Sequence, residues 1–352
     1  MAVTLPMRTL ALVATILMVA AGCDKKQRDD AAQAYVDFID KVSGVADKGK
    51  PLPPAYTNLV GEPPVLFQVF GRRTDPRMIP LAVVQQGKLR RIVLNGRGWR
   101  DFQRQYASPG DSLLLFRDGQ TVGAVTVRRG MWNEADSAVY TLPGCALPLP
   151  LSHVSLHGPV SGSSVAVDAL ASNRPLGRAT EPVTLSRVEV QRTGRDIGLL
   201  VGGKLGMSPE TIDSLDANSM AIPTGRPGKP TLLINLLDPA VSDSSRARKA
   251  RQVFVVADAG PFGYGPTYWH FQRGTSGAPQ FRRYIDHLDV DGDGLDELLL
   301  EAWFAGRRAS YIVVLGQRPD GAGWEERYRT DPDWCQDKLF VGTSGERPAA
   351  RE

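Results

Sequence analysis

The sequence predicts a mainly β protein: two small β-rich domains with a few short helices, after a signal peptide and an N-terminal helix. Glycine and proline are frequent, with 36 and 26 residues in a chain of 352, and both interrupt helices and favour turns. Most apolar residues stand in short runs that end at Gly, Asp, Asn or Pro, a pattern typical of strands joined by turns. Hydrophobic residues make up 42% of the chain, which is enough for the cores of two domains.

Residues 1–22 have the pattern of a secretory signal peptide. Arg8 is followed by the apolar run Thr9–Ala21, and small residues precede Cys23. The run is shorter than the roughly 20 apolar residues that span a bilayer. A cysteine directly after small residues resembles the lipobox of bacterial lipoproteins, in which that cysteine is lipidated and becomes the mature N-terminus. The resemblance implies an exported protein, anchored to a bacterial membrane through lipid on Cys23 and facing the periplasm or the outside. The alternative is an ordinary signal peptide cut near Cys23.

Residues 23–54 are predicted to form a tether and a helix. The charged residues 24–30 predict a short flexible segment. Apolar side chains then recur at helical spacing, which predicts an amphipathic helix. They are Ala32, Tyr35, Phe38, Ile39 and Val42. Gly and Pro between residues 44 and 54 end this helix.

Residues 55–145 are predicted to form an N-terminal β-rich domain. Its predicted strands are Val65–Phe70, Leu81–Val84, Arg91–Leu94, Ser112–Phe116 and Val122–Val127. The pairs Gln86-Gly87 and Asp118-Gly119 predict hairpin turns, because glycine adopts a positive φ without steric cost. Residues 99–106 predict one short helix.

Residues 146–184 are rich in proline and are predicted to connect the two domains. Residues 185–345 are predicted to form a C-terminal β-rich domain. Ser208 followed by Pro209 predicts the start of a short helix that ends near Ala217. The predicted strands that follow are Thr231–Leu237, Gln252–Ala257, Tyr268–Gln272, Phe281–Leu288, Glu297–Phe304 and Tyr311–Leu315.

An acidic loop between two of these strands is the strongest chemical signal in the chain. Asp289, Asp291 and Asp293 stand at positions 1, 3 and 5, and Gly294 at position 6 permits the sharp turn that lets them converge. The carbonyl of Leu295 and the carboxylate of Glu297 complete the predicted ligand set. Hard oxygen ligands at this spacing favour Ca²⁺, and the lack of His and Cys among them argues against zinc. The neighbouring Asp296 is expected to face outward or to cap the turn.

The loop is not a normal EF-hand, because Leu300 stands where that loop needs a bidentate glutamate at position 12. The motif Asp-x-Asp-x-Asp-Gly-x-Asp-Glu before an apolar strand resembles the calcium loop of FG-GAP and VCBS-type repeats. Residue by residue, Asp289, Asp291, Asp293 and Glu297 match side-chain ligands, and Leu295 matches the carbonyl ligand. The resemblance covers residues 281–315 and implies a structural calcium ion rather than catalysis. The alternative is a solvated acidic turn that binds nothing.

The cysteines and the charge limit the compartment and the partners. If Cys23 carries lipid, Cys145 and Cys335 remain as an even pair in an oxidising compartment, where a disulfide between them is favoured over two separate thiols. The formal net charge is +4 and the isoelectric point about 9.0. For an exported chain this charge indicates a solvated surface, so no nucleic-acid partner is expected.

Together these patterns predict a non-catalytic binding or scaffold lipoprotein of the cell envelope, whose partner is an unknown envelope protein or glycan. The alternative is an envelope hydrolase. Its nucleophile would be Ser276 or a carboxylate in a cleft, since residues 274–279 faintly resemble the nucleophile segment of trypsin-like serine proteases. A polar hairpin loop is the simpler interpretation of that segment.

Overall fold

The computed structural model describes residues 63–92, 96–130, 151–158, 166–177, 185–226, 229–242, 249–273, 280–304, 310–321 and 323–330. Within these residues the protein is mainly β, with a few short helices, as the sequence predicts. Among them, no helix combines the length and the apolar character needed to cross a membrane. The signal peptide, the tether and the first predicted helix lie outside the described residues, so the domain limits stay a prediction.

Sheet I contains seven antiparallel strands. They are β1 (Val65–Arg72), β2 (Asp75–Gln85), β3 (Lys88–Arg90), β4 (Ser112–Arg117), β5 (Gln120–Arg129), β6 (Ser152–His157) and β7 (Ala166–Ser172). The order is β1-β7-β4-β5-β6-β2-β3, and β1 also pairs with β2, so six strands close on themselves in a ring. Strands β6 and β7 come from residues 146–184, which the sequence analysis assigns to a connection.

The two predicted hairpin turns of sheet I are confirmed. Gln86, Gly87, Asp118 and Gly119 all have positive φ angles, between 51° and 73°. Positive φ at both central residues is the backbone of a type I′ turn, which matches the right-handed twist of paired strands.

Alternate residues of β1 face opposite sides of the ring. Val65, Phe67 and Val69 face its interior, where helix α1 (Gly96–Tyr106) contributes Phe102. The ring centroids of Phe67 and Phe102 lie 6.2 Å apart. The helix therefore contributes aromatic side chains to the core inside the ring.

Two further sheets are simple antiparallel meanders. Sheet II contains β8 (Asp216–Ile222), β9 (Thr231–Leu237), β10 (Arg251–Gly260) and β11 (Gly263–Arg273). Sheet III contains β12 (Gln280–Leu288), β13 (Glu297–Phe304), β14 (Ser310–Gln317) and β15 (Trp324–Arg329). Because β12 and β13 are consecutive antiparallel strands, the loop between them connects neighbouring strand ends at one end of sheet III.

Sheet III lies in the middle of the molecule. One of its faces packs on the outside of sheet I. There, Leu299 and Ile312 of sheet III contact the layer of sheet I that contains Leu66 and Phe70. Its other face packs on sheet II through a second apolar layer that includes Val313. The strands of sheet III are therefore buried on both faces, which explains the nearly continuous apolar sequences of β13 and β14.

Helix α2 (Arg187–Lys204) covers the far side of sheet II, and the short helix α3 (Pro209–Asp213) follows it. Ser186 and Glu189 form a reciprocal capping box at the start of α2. Three buried glycines stand four residues apart in this helix. An added Cβ at Gly194 or Gly198 would meet side chains of sheet II, and one at Gly202 would meet Ile212 of α3. The absence of these side chains lets the helix lie close to the strands and to α3.

Candidate metal centre

The acidic loop lies between β12 and β13. Asp289 directly follows β12, and Glu297 is the first residue of β13. Gly292 and Gly294 have φ angles of 80° and 88°, a backbone region that only glycine enters freely. The loop therefore turns sharply inside its own motif, as the glycine at position 6 predicts.

Three of the predicted ligands meet at one point. One carboxylate oxygen from each of Asp289, Asp291 and Glu297 lies within 4.8 Å of the other two. Asp289 and Glu297 are buried, with 6% and 3% of their surface exposed, while Asp291 is half-buried. A buried group of three carboxylates can hold a metal ion.

Backbone amides hold the two buried carboxylates in place. Oδ1 of Asp289 accepts a hydrogen bond from the amide of Gly292 at 2.7 Å, and its Oδ2 accepts one from the amide of Gly294 at 3.0 Å. Oε2 of Glu297 accepts a hydrogen bond from the amide of Val290 at 3.0 Å. Each carboxylate oxygen keeps a second lone pair, so these bonds orient the carboxylates and leave lone pairs that a metal ion could use.

Burial, together with the neighbouring negative charges, raises the pKa of carboxylates in the loop. Burial raises the pKa of Glu297 to about 8, and the negative charges of Asp291 and Asp293 act in the same direction. The amide of Val290 and the charge of Arg327 act against this rise. Burial also raises the pKa of Asp291. A divalent cation in the cluster would compensate the negative charges that otherwise favour protonation.

Residues of sheet I, and a residue that follows its last strand, contact the backbone of the loop. A Cβ at Gly87, in the turn between β2 and β3, would lie 3.5 Å from the carbonyl oxygen of Asp291. The amide of Gly177 donates a hydrogen bond to the carbonyl of Asp289 at 3.0 Å. The loop therefore forms part of the interface between sheets I and III.

The remaining predicted ligands have different positions. Asp293 is exposed and does not belong to the group of converging carboxylates. It accepts a hydrogen bond from the amide of Leu295 at 2.8 Å, while its own amide donates to Asp291 at 3.1 Å. The roles of Asp293 and of the Leu295 carbonyl as ligands stay predictions.

Asp296 was expected to face outward or to cap the turn, and the first of these alternatives is wrong. Its side chain has no exposed surface, and its Oδ2 lies 3.6 Å from Nε2 of His287. The hydroxyl of Tyr284 lies 2.5 Å from the other ring nitrogen of His287. Asp286 accepts a hydrogen bond from the amide of Asp118 at 2.8 Å, and burial raises its pKa to about 8.

This second group of Tyr284, Asp286, His287 and Asp296 lies beneath the turn between β4 and β5, and sequence reasoning missed it. The sequence of β12 offers one signal, because polar residues stand at positions 284, 286 and 287 just before apolar Leu288. A strand buried on both faces must satisfy such residues within the protein. Their positions here indicate a polar contact between sheets I and III.

Several predicted positions lie outside the described residues. They are Cys23, Cys145, Cys335 and Ser276. The lipid attachment site, the disulfide and the hydrolase nucleophile therefore stay predictions.

Comparisons with protein-family models, with curated proteins and with solved structures found no match to this chain.

Proposed function

We propose that the chain is an exported lipoprotein of a bacterial cell envelope, in which the acidic loop holds a structural calcium ion. Its role in this proposal is non-catalytic: it binds or supports another envelope component, a protein or a glycan. The observation that carries the proposal is the convergence of Asp289, Asp291 and Glu297 at one end of sheet III, where one carboxylate oxygen of each lies within 4.8 Å of the other two.

The donor atoms favour calcium over other metals. The three converging side chains offer carboxylate oxygen alone, whereas zinc sites usually include His or Cys. Calcium accepts 6 to 8 oxygen ligands in flexible geometry, so backbone carbonyls and water can complete its coordination. Magnesium demands near-ideal octahedral geometry and keeps several waters, which suits a site tied by backbone hydrogen bonds less well.

The position of the loop favours a structural role. Val290 of the loop packs with residues of sheets I and III, and the turn between β2 and β3 contacts Asp291, so the loop lies where these two sheets meet. An ion at this place would neutralise charge inside an interface. This is how a metal stabilises a fold without taking part in chemistry.

Calorimetric titration of metal-free protein tests the metal assignment. We expect about one Ca²⁺ per chain, with Mg²⁺ much weaker, and no calcium binding by Asp291→Ala. Asp216→Ala is the matched control, because Asp216 is exposed on β8. Equal calcium affinity in both variants would show that the loop is not the site.

Cell fractionation tests the anchor separately. We expect the wild-type protein in the membrane fraction and the Cys23→Ala variant released from it, since a lipidated cysteine is the proposed attachment. Membrane association of both forms would contradict the lipid anchor and leave the metal site unaffected. The hydrolase alternative depends on a cleft carboxylate or on Ser276, which lies outside the described residues, and it stays a prediction.

A further inference from the structure

We infer that Arg327 is a built-in counter-ion of the acidic loop, which stabilises the loop when no metal is bound and which calcium must displace. The inference rests on the proposed calcium site and concerns its regulation: it makes Arg327 the residue that sets the calcium affinity.

The guanidinium of Arg327 lies at two of the three converging carboxylates. Its Nη1 is 3.2 Å from Oδ2 of Asp291 and 3.6 Å from Oε1 of Glu297. The Nη2 of the same group donates a hydrogen bond to the carbonyl of Gln317. One end of the guanidinium is thus fixed to β14, and the other end faces the cluster.

A β-bulge directs Arg327 to this place. Leu315 of β14 pairs with Glu326, but Val314 pairs with Tyr328, so Arg327 is the extra residue of β15. Bulges change the direction of a side chain and occur frequently beside functional sites. Regular pairing would continue the alternation of the strand, and the bulge interrupts it at this arginine.

The opposite strand leaves room for the arginine. A Cβ at Gly316 would collide with Cδ, Nε and Cζ of Arg327. The side chain therefore crosses β14 at the one position without a side chain, on its way to the loop. The bulge and the glycine are two independent features that place a positive charge at the cluster.

The charges explain why this arrangement opposes calcium. Asp289, Asp291, Asp293 and Glu297 lie in one loop of nine residues, and carboxylates this close repel one another. Arg327 compensates part of this charge in the metal-free protein. Calcium needs oxygens at about 2.3–2.6 Å, and the guanidinium occupies oxygens of Asp291 and Glu297, so the two cations compete for the same ligands.

Calorimetric titration with Ca²⁺ and thermal unfolding in EDTA test this inference on the full chain. For Arg327→Gln we expect the Kd for calcium to fall at least about tenfold, because a repelling charge at this distance is removed, and the Tm in EDTA to fall. Arg329→Gln is the matched control, because Arg329 lies on the same strand but pairs with Glu326 and contacts the ring of Tyr311. We expect less than about a threefold change in its Kd.

Gly316→Ala tests the position of the arginine without removing its charge. We expect the added Cβ to displace the side chain and to lower the Kd for calcium, in the same direction as Arg327→Gln. A wild-type Kd in Arg327→Gln, or equal changes in Arg327→Gln and Arg329→Gln, would overturn the inference. So would a wild-type Kd in Gly316→Ala. If the wild-type protein itself binds no calcium, the proposed function fails instead.

Discussion

Replacing Glu297 by glutamine should remove the calcium-dependent stabilisation and leave the protein folded. Glu297 supplies one of three converging carboxylates and is 3% exposed. Glutamine keeps the size of the side chain and an oxygen that can accept the hydrogen bond from Val290. Burial raises the pKa of Glu297, so the metal-free protein should tolerate a neutral amide at this position.

The expected stabilisation follows from mass action. Extracellular calcium modules bind with Kd values of about 10⁻⁴ to 10⁻³ M. At about 5 mM Ca²⁺ this range gives roughly 1–2 kcal/mol of additional stability. For a protein of this size each kcal/mol raises the Tm by about 2–4 °C, so the wild-type Tm should rise by about 2–8 °C.

Thermal unfolding at pH 7.5, in EDTA and in calcium, measures the effect. For Glu297→Gln we expect the Tm to rise by less than about 1 °C on addition of calcium. The loss of one charged ligand should raise the Kd above the calcium concentration used, so that little calcium binds. Glu325→Gln, an exposed position on β15, should keep the wild-type rise. A full rise in Glu297→Gln would refute the assignment of the cluster as the calcium site.

Three further predictions concern the interface and the cysteines. Asp286→Asn should flatten the pH dependence of stability, because the folded protein keeps this proton up to about pH 8 whereas the unfolded chain loses it near its ordinary pKa. Between pH 4 and pH 8.5 in EDTA, the stability of the wild type relative to the variant should therefore fall by roughly 5 kcal/mol, and an equal pH dependence of urea unfolding in both proteins would contradict this prediction. Gly119→Ala should lower the free energy of unfolding by about 1–3 kcal/mol more than Gly110→Ala does. Both glycines have a positive φ, but only at Gly119 would the Cβ approach other side chains, at 3.0–3.1 Å. Equal losses in urea unfolding would contradict the predicted contact. Mass spectrometry of the unreduced exported protein should find one peptide pair joined through Cys145 and Cys335, and free thiols at both would disprove the disulfide.

The sequence predicted the strands and turns whose signals are local. Strands β9 and β13 have the predicted limits, Thr231–Leu237 and Glu297–Phe304. The turns at Gln86 and Asp118 were predicted from single glycines. In each case neighbouring residues alone decide the backbone, so no knowledge of the packing is needed.

Other elements depend on partners far along the chain. Helix α2 was missed because glycine disfavours helices in isolation, and its buried glycines are explained only by the close approach of sheet II and of helix α3. The helix predicted to reach Ala217 ends at Asp213, since β8 begins at Asp216 and pairs with β9. Strands β6 and β15 were also missed. Their sequences combine polar and apolar residues without a clear strand pattern, and their conformation depends on pairing with neighbouring strands.

The candidate site shows the same division. The acidic spacing predicted Asp289, Asp291 and Glu297, because all three lie in one short loop. Arg327 could not be predicted, since it comes from a bulge 30 residues after Glu297. The burial of Asp296 could not be predicted either, because the turn that covers it belongs to β4 and β5.

The pairing of β7 between β1 and β4 has a practical consequence for anyone who divides this chain. A fragment that stops at residue 145, the predicted end of the first domain, would lack β6 and β7 and leave unpaired edges on β1, β4, β5 and β2. Open edges of this kind recruit other chains and promote aggregation. Expression of the N-terminal half therefore needs a boundary beyond Ser172, where the last strand of the ring ends.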